Sequence, residues 1–422
     1  MTRNHPAALP RRRALRLGAV AVAASATALV LPALAPTAAH AGDGDAVLAW
    51  YDETAAAVAA QGAVPQVVGS RTWAIAWSAA ERAVGGRTGP YAQAALGAAV
   101  HDVVVALVPA QQQHADATAV RWVQGLRGAA AQRGVAAGRA AAAAVLAERQ
   151  GDGLTPAEVN APYTPPPAAV GVWRPTPDAY APAVQSGQGR ARPFLLQSTS
   201  QFRPPPPAGP GTDSYRRDLA EVRVLGEKGS AARTPAQTEV GLFCSQTSLA
   251  GFTSVLRGVL TGDRGSHGRL GDEVRLVSVF HRVTLDAQLA VYEAKYVYVA
   301  WRPVTALRED GDGDAATPQV PDWSPLIPTP AHPEYPSGHT TYAGAATAVL
   351  ARLAGPAPAT PVAATSTALP GVTRTYTAWR QLAQDNEDAR VWSGIHLRSS
   401  DVVGTGLGRT VAAYDLGALG LT

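Results

Sequence analysis

Apolar positions in this chain recur every three to four residues far more often than they alternate. Segments 44–61, 71–85, 90–108 and 128–149 set Ala, Leu, Val and Trp at helix-compatible spacing with little β-alternation. The pattern returns at 213–225, 234–260, 270–307, 338–354, 375–391 and 402–416. Gly151-Asp152-Gly153 closes the fourth segment with turn chemistry. From 154 to 212 the spacing lapses: Pro162, Pro165, Pro166 and Pro167 cluster, and Pro204 to Pro207 run unbroken. Trp173, Phe194 and Phe202 inside this belt predict that it is ordered over helices rather than left as a flexible linker. The expected class is all-α, helical bundles with long Pro-rich loops and one polar loop at 308–336.

The first 41 residues read differently. Arg11-Arg12-Arg13 and Arg16 precede an apolar run from Leu17 to Leu34, and Ala39-His40-Ala41 precede Gly42. A charged start, an apolar middle and small residues at the end make a secretory signal peptide, and the adjacent arginines point to twin-arginine export. No later run reaches 18 consecutive apolar residues, so no membrane span is expected after cleavage. The expected organisation is a signal peptide at 1–41, an N-terminal helical part with the belt at 42–212, and a catalytic bundle at 213–422. The expected location is outside the cell.

Charge supports that division. The chain holds 36 Lys+Arg and 32 Asp+Glu; removing the five leader arginines leaves 31 basic residues against 32 acidic. The body therefore lacks the basic excess of a nucleic-acid-binding protein. A single cysteine, Cys244, excludes an intramolecular disulfide framework and any Cys-based zinc or iron–sulfur site. Asp310, Asp312 and Asp314 suggest calcium, but a loop beginning at Asp310 has Ala315 and Pro321 where an EF-hand needs Gly and Glu; a solvated turn is expected. Gly404, Gly406 and Gly408 follow no strand and miss the dinucleotide spacing, so close helix packing is the expected use.

The chemistry lies in three separated islands. Lys295 and Arg302 are seven residues apart, about two helical turns, which places both on one face as a pair of cations for an oxyanion. In Pro336-Ser337-Gly338-His339, Ser337 is placed as a helix N-cap, Gly338 lets backbone approach an anion, and His339 can act as acid or base. In Arg390-Val-Trp-Ser-Gly394-Ile-His396, Gly394 is expected to break a helix and turn His396 inward beside a third cation. Asp385, Glu387 and Asp388 are expected on an exposed face, with one of them available to hold Arg390.

In that order the islands resemble the type-2 phosphatidic acid phosphatase and vanadium-dependent haloperoxidase superfamily. The longer strings Trp301-Arg302-Pro303-Val304-Thr305-Ala306, His332-Pro-Glu-Tyr-Pro-Ser-Gly-His339 and Gly394-Ile-His-Leu-Arg398 resemble its exported bacterial haloperoxidase-like branch. The resemblance implies helical bundles with an anion site at the core of one. It implies that Lys295, Arg302, Ser337, Gly338 and Arg390 hold the oxygens of vanadate or phosphate. His396 would be the vanadate ligand or the phosphohistidine nucleophile, and His339 the acid–base residue. Implied partners are halide, hydrogen peroxide and an organic acceptor, or a phosphate ester in the alternative reading as an exported acid phosphatase.

This chain departs from the pattern in four places. Ala389 stands where a Ser often precedes the third-motif arginine. Ser400 stands at the phosphatase-type Asp position, with Asp401 one residue on, which removes the expected carboxylate behind His396. Tyr292 stands where the fungal chloroperoxidase type has Trp, and His332 where chloroperoxidases tend to have Phe and algal bromoperoxidases His. Both changes, placed at the halide pocket, predict bromide rather than chloride as the halide oxidised.

Overall fold

In the computed structural model the described residues are Met1, 43–262, 269–310 and 313–421. The leader, its cleavage motif and Asp312 lie outside them. The apolar spacing folds into α1 (Asp43–Ala60), α2 (Gln66–Val84), α3 (Gly89–Leu107), α4 (Gln112–Trp122), α5 (Ala129–Glu148) and the single turn α6 (Pro156–Val159). After the belt come α7 (Asp213–Leu225), α8 (Pro235–Phe243), α9 (Ser248–Gly262), α10 (Leu270–Tyr298), α11 (Gly338–Leu353), α12 (Trp379–Trp392) and α13 (Arg398–Ala418). The described residues are all-α apart from one antiparallel hairpin, β1 (Val362–Thr365) with β2 (Thr373–Tyr376), in the register Val362 to Tyr376. β-Branched and aromatic residues at Val362, Thr365, Thr373, Thr375 and Tyr376 suit a pleated ribbon, so part of the segment expected as helix at 375–391 is strand.

α10 organises the rest. Val274, Val277, Phe280, Leu285 and Leu289 are fully buried around its circumference, the pattern of a core helix rather than a surface one. It packs against α2, α11 and α13. Asp286 on α10 accepts the backbone N–H groups of Phe194, Leu195 and Leu196, which fastens the Pro-rich belt to the bundle as expected from its aromatics. Trp173 is fully buried beneath the belt.

Two helix boundaries differ from the sequence expectation. The segment 234–260 is two helices, because Thr247 Oγ1 accepts the Ala250 N–H and starts α9 afresh. The break leaves the Cys244 and Gln246 carbonyls free of helical pairing. The segment 270–307 is broken after Tyr298: Val299 adopts φ 49°, Pro303 disfavours the helical conformation at Arg302, and helix resumes only at 303, continuing as a π-helix over Thr305–Asp310. Lys295 and Arg302 therefore do not share a helical face.

α11 and α13 meet along the predicted glycine seam. A Cβ on Gly408 would lie 2.0 Å from the Thr341 carbonyl oxygen, and one on Gly404 2.2 Å from Thr340 Oγ1, whereas one on Gly406 meets nothing. Gly408→Ala is expected to destabilise the protein by about 1–3 kcal/mol through forced separation of the helices. Gly406→Ala should be neutral or stabilising by up to about 1 kcal/mol, since it only improves helix propensity. Urea unfolding of both variants checks the contrast; equal effects would remove the packing explanation.

Candidate active site

The three islands converge on one buried pocket between the end of α10, the start of α11 and the end of α12. Each is delivered by a local break in helix. Arg302 follows the left-handed exit of α10. Ser337 precedes α11 with φ −70° and ψ 124°, in the N-cap position, but its Oγ makes no capping bond. His396 follows Gly394, whose φ of 80° ends α12 and turns the chain inward as expected.

Lys295 and Arg302 are fully buried and Arg390 is nearly so. Lys295 Nζ donates to the carbonyls of Pro333 at 3.0 Å and Glu334 at 2.8 Å. Arg302 donates from Nε to the His332 carbonyl at 2.9 Å and from Nη1 to the Ile395 carbonyl at 2.8 Å. Arg390 Nη2 donates to the Cys244 carbonyl at 2.8 Å, one of the carbonyls released by the break between α8 and α9. Among the described residues no carboxylate forms an ion pair with any of the three. Asp385 binds Arg374, Asp388 binds Arg398 and Glu387 accepts from Thr405, so the expectation that one of these acids holds Arg390 is not met. Burial is the first cause depressing all three cations, with Arg302 held down to about 10.

Both motif histidines are neutral here. His396 Nδ1 lies 2.7 Å from Glu334 Oε1, and its Nε2 lies 3.2 Å from Arg302 Nη1. Burial, then Arg302 and Lys295, push His396 well below its ordinary value. His339 Nε2 lies 2.9 Å from the Gln246 carbonyl, the second carbonyl released by the same break; that nitrogen must carry the proton, leaving Nδ1 as the basic end. Burial and then Arg390 hold His339 at about 3. His339 also lines an apolar cleft with Phe243, Phe252, Tyr376 and Leu382.

His332 and Tyr292 are brought to the site as expected, but in a different role from a solvent contact. His332 is buried, with Arg302 Nη2 3.0 Å from its Nδ1 and the Tyr292 hydroxyl 3.3 Å from its Nε2. A guanidinium can only donate, so Nδ1 accepts and the nearby Pro333 carbonyl at 3.1 Å is not its partner. His332 thus occupies one prong of the Arg302 fork.

The pocket retains unused donors. Ser337 Oγ and Arg390 Nε are buried without hydrogen-bond partners, and a Cβ on Gly338 would meet nothing closer than 3.8 Å, at Lys295 and Tyr292. Glu334 and Asp401 favour the charged cations from beyond ion-pair distance without pairing with any of them, so an entering anion would relieve their burial. An oxyanion is the complementary group: it would satisfy those donors, and a neutral imidazole nitrogen waits among them. The residues present fit vanadate or phosphate.

Comparison with known proteins agrees with this geometry. Residues 275–418 match the VCPO second helical-bundle domain family. The vanadium chloroperoxidase of Curvularia inaequalis is 27% identical over 181 residues, a match spanning 36% of this chain and 29% of that protein, so under a third of that relative's length is covered. These two matches support the vanadium haloperoxidase superfamily for the helical bundle at 275–418. Among solved structures, a bacterial vanadium-dependent iodoperoxidase is 20% identical with a TM-score of 0.74, over 90% of this chain and 96% of that one. A bacterial vanadium-dependent chloroperoxidase in its holo form is 17% identical with a TM-score of 0.63, over 92% and 94%. At those identities the likeness establishes the shared helical fold.

One residue of the site was not legible by spacing. Glu334 stands between prolines in the second island, quoted in the motif but with nothing in its position to show that it faces His396 in the third. The carboxylate that Ser400 fails to supply comes from there. Asp401 does not replace it: its oxygens are buried without hydrogen-bond geometry, and burial first, with Glu334 adding to it, pushes Asp401 well above the ordinary carboxylate range.

Proposed function

We propose that this protein is an exported vanadium-dependent haloperoxidase that oxidises bromide with hydrogen peroxide. The observation that carries the reading is the set of three buried, unpaired cations around the unused donors of Ser337 and Arg390, with the neutral His396 Nε2 facing them. Lys295, Arg302, Arg390, Ser337 and the Gly338 backbone would hold the oxygens of vanadate, and His396 Nε2 would be its protein ligand. When bound, vanadate supplies the electrophilic centre that activates hydrogen peroxide for two-electron oxidation of halide. His339 Nδ1 would hold or accept a proton of hydrogen peroxide in the pocket, and an anion beside it would raise its basicity from the value that burial imposes. The cations serve by staying fixed: donors already in place need no reorganisation as charge develops.

Parallel assay of the purified protein tests this. Bromide-dependent halogenation of monochlorodimedone with added vanadate and peroxide is expected. Hydrolysis of p-nitrophenyl phosphate without halide oxidation would instead establish the phosphatase alternative. The leader is proposed to be removed on export, so mass spectrometry of secreted protein should find an N-terminus near Gly42; retention of Met1 would refute cleavage.

The solved relatives are named for iodide and for chloride, so the fold does not select the halide. Residues beside the site support bromide. His332 takes the Arg302 Nη2 donor away from the anion, and chloride needs a more strongly activated oxidant than bromide. His332→Phe frees that donor and dries the pocket. A charge-assisted hydrogen bond is worth about 1.5–3 kcal/mol, so the chloride-to-bromide rate ratio should rise about tenfold or more. Efficient chloride oxidation by the unaltered protein, or an unchanged ratio in the variant, would defeat the bromide assignment.

A further inference from the structure

We propose that Glu334 is the positioning residue of this site, fixing the tautomer and direction of His396 from the second motif. The inference rests on the haloperoxidase reading for its functional consequence, and on geometry alone for its structural content. Glu334 is held at two points before its carboxylate is considered. Its N–H donates to the Ala300 carbonyl at 2.8 Å, its own carbonyl accepts from Lys295 Nζ, and its side chain is only 2% exposed. With the main chain tied to the end of α10 on both sides of the residue, the side chain can project only across the pocket. There Oε1 accepts from His396 Nδ1 at 2.7 Å and from the Leu397 N–H at 3.0 Å. Glu334 is thus bonded both to the first island and to the third.

The two ends of the imidazole agree on one tautomer. A carboxylate behind Nδ1 requires a proton there, and a guanidinium in front of Nε2 can only donate, so Nε2 carries the lone pair. That lone pair is what a metal oxyanion needs. In metal sites a ligating histidine is commonly oriented by such an outer partner, and loss of the partner typically weakens metal binding about 10–100-fold. Asp401 cannot take over, because it makes no hydrogen bond to His396 and sits beside Ser337.

The test compares unaltered protein with Glu334→Ala and Glu334→Gln, the glutamine retaining an acceptor oxygen at the same reach. In vanadate-free protein labelled with ¹⁵N-histidine, with His396 assigned by its loss in His396→Ala, His396 should show protonated Nδ1 and unprotonated Nε2. Glu334→Ala should lose that tautomer bias and bind orthovanadate about 10–100-fold more weakly in calorimetry. Glu334→Gln should retain the tautomer and most of the affinity, which a role in stability alone would not produce. The inference is overturned by a protonated Nε2 in the unaltered protein, by unchanged affinity in Glu334→Ala, or by a glutamine variant as weak as alanine. Failure of the unaltered protein to bind orthovanadate would instead overturn the haloperoxidase reading, while the tautomer measurement would still decide the positioning role.

Discussion

Halide oxidation by His396→Ala is expected to fall at least about 10³-fold, to the background of free vanadate. The substitution removes the neutral Nε2 proposed to bond the metal, and the hydrogen-bond donors around it cannot replace a ligand. The fold should survive. Glu334 Oε1 keeps the Leu397 N–H, and Arg302 Nη1 keeps the Ile395 carbonyl, so both partners of the lost imidazole remain hydrogen-bonded. A stability cost of about 1–3 kcal/mol follows from two lost buried hydrogen bonds and a small cavity. Steady-state kinetics with saturating vanadate, alongside thermal unfolding, separate the two effects. Undiminished turnover with a normal unfolding transition would exclude His396 as the ligand.

The second large effect is expected at Arg302. Arg302→Met removes the cation that reaches the His332 and Ile395 carbonyls and both site histidines. Two stability terms oppose each other in the variant. Two carbonyls lose their donor, at about 1–3 kcal/mol each, while one desolvated charge disappears, a relief of several kcal/mol. The vanadate-free variant should therefore unfold close to the unaltered protein. Ligand stabilisation is where the variants part. Vanadate at a hundred times its Kd should stabilise the unaltered protein by about 2.7 kcal/mol, seen as a rise in Tm. Arg302→Met should show little or none of that rise, and should lose about 10²–10³-fold in bromide oxidation through the missing fixed charge. A full vanadate-induced shift in the variant would show that Arg302 does not contact the anion.

Those effects rest on residues singled out before any fold was known. Lys295, Arg302, Ser337, Gly338, His339, Arg390 and His396 stand in ordered, closely spaced motifs, and the fold brings the motifs together: Arg302 lies against His396, and Gly338 faces Lys295. Helical periodicity likewise marked α10 and α11, because a helix core imposes its 3.6-residue repeat on the composition of its own segment. The glycine seam of α13 was legible for the same reason: small residues at spacing four can only be explained by a neighbour.

Where the chain leaves a helix, the sequence said less. The same-face argument for Lys295 and Arg302 reached the right pairing by the wrong route, since Val299 and Pro303 end α10 between them. The hairpin of β1 and β2 was hidden because four-residue strands are too short to show a period. Thr247 ends one helical reading and starts another through a single side-chain bond. His332 was expected at the halide pocket, and the fold spends its Nδ1 on Arg302.

Glu334 marks the boundary most sharply. Its spacing to His396 is 62 residues, across a helix, a hairpin and another helix, and no local periodicity relates the two. The sequence by itself determined which side chains could bind an oxyanion, because charge and basicity belong to each residue. Tertiary structure decided which nitrogen of His396 faces that anion, because a tautomer is set by what stands behind the ring, and only folding brought Glu334 there.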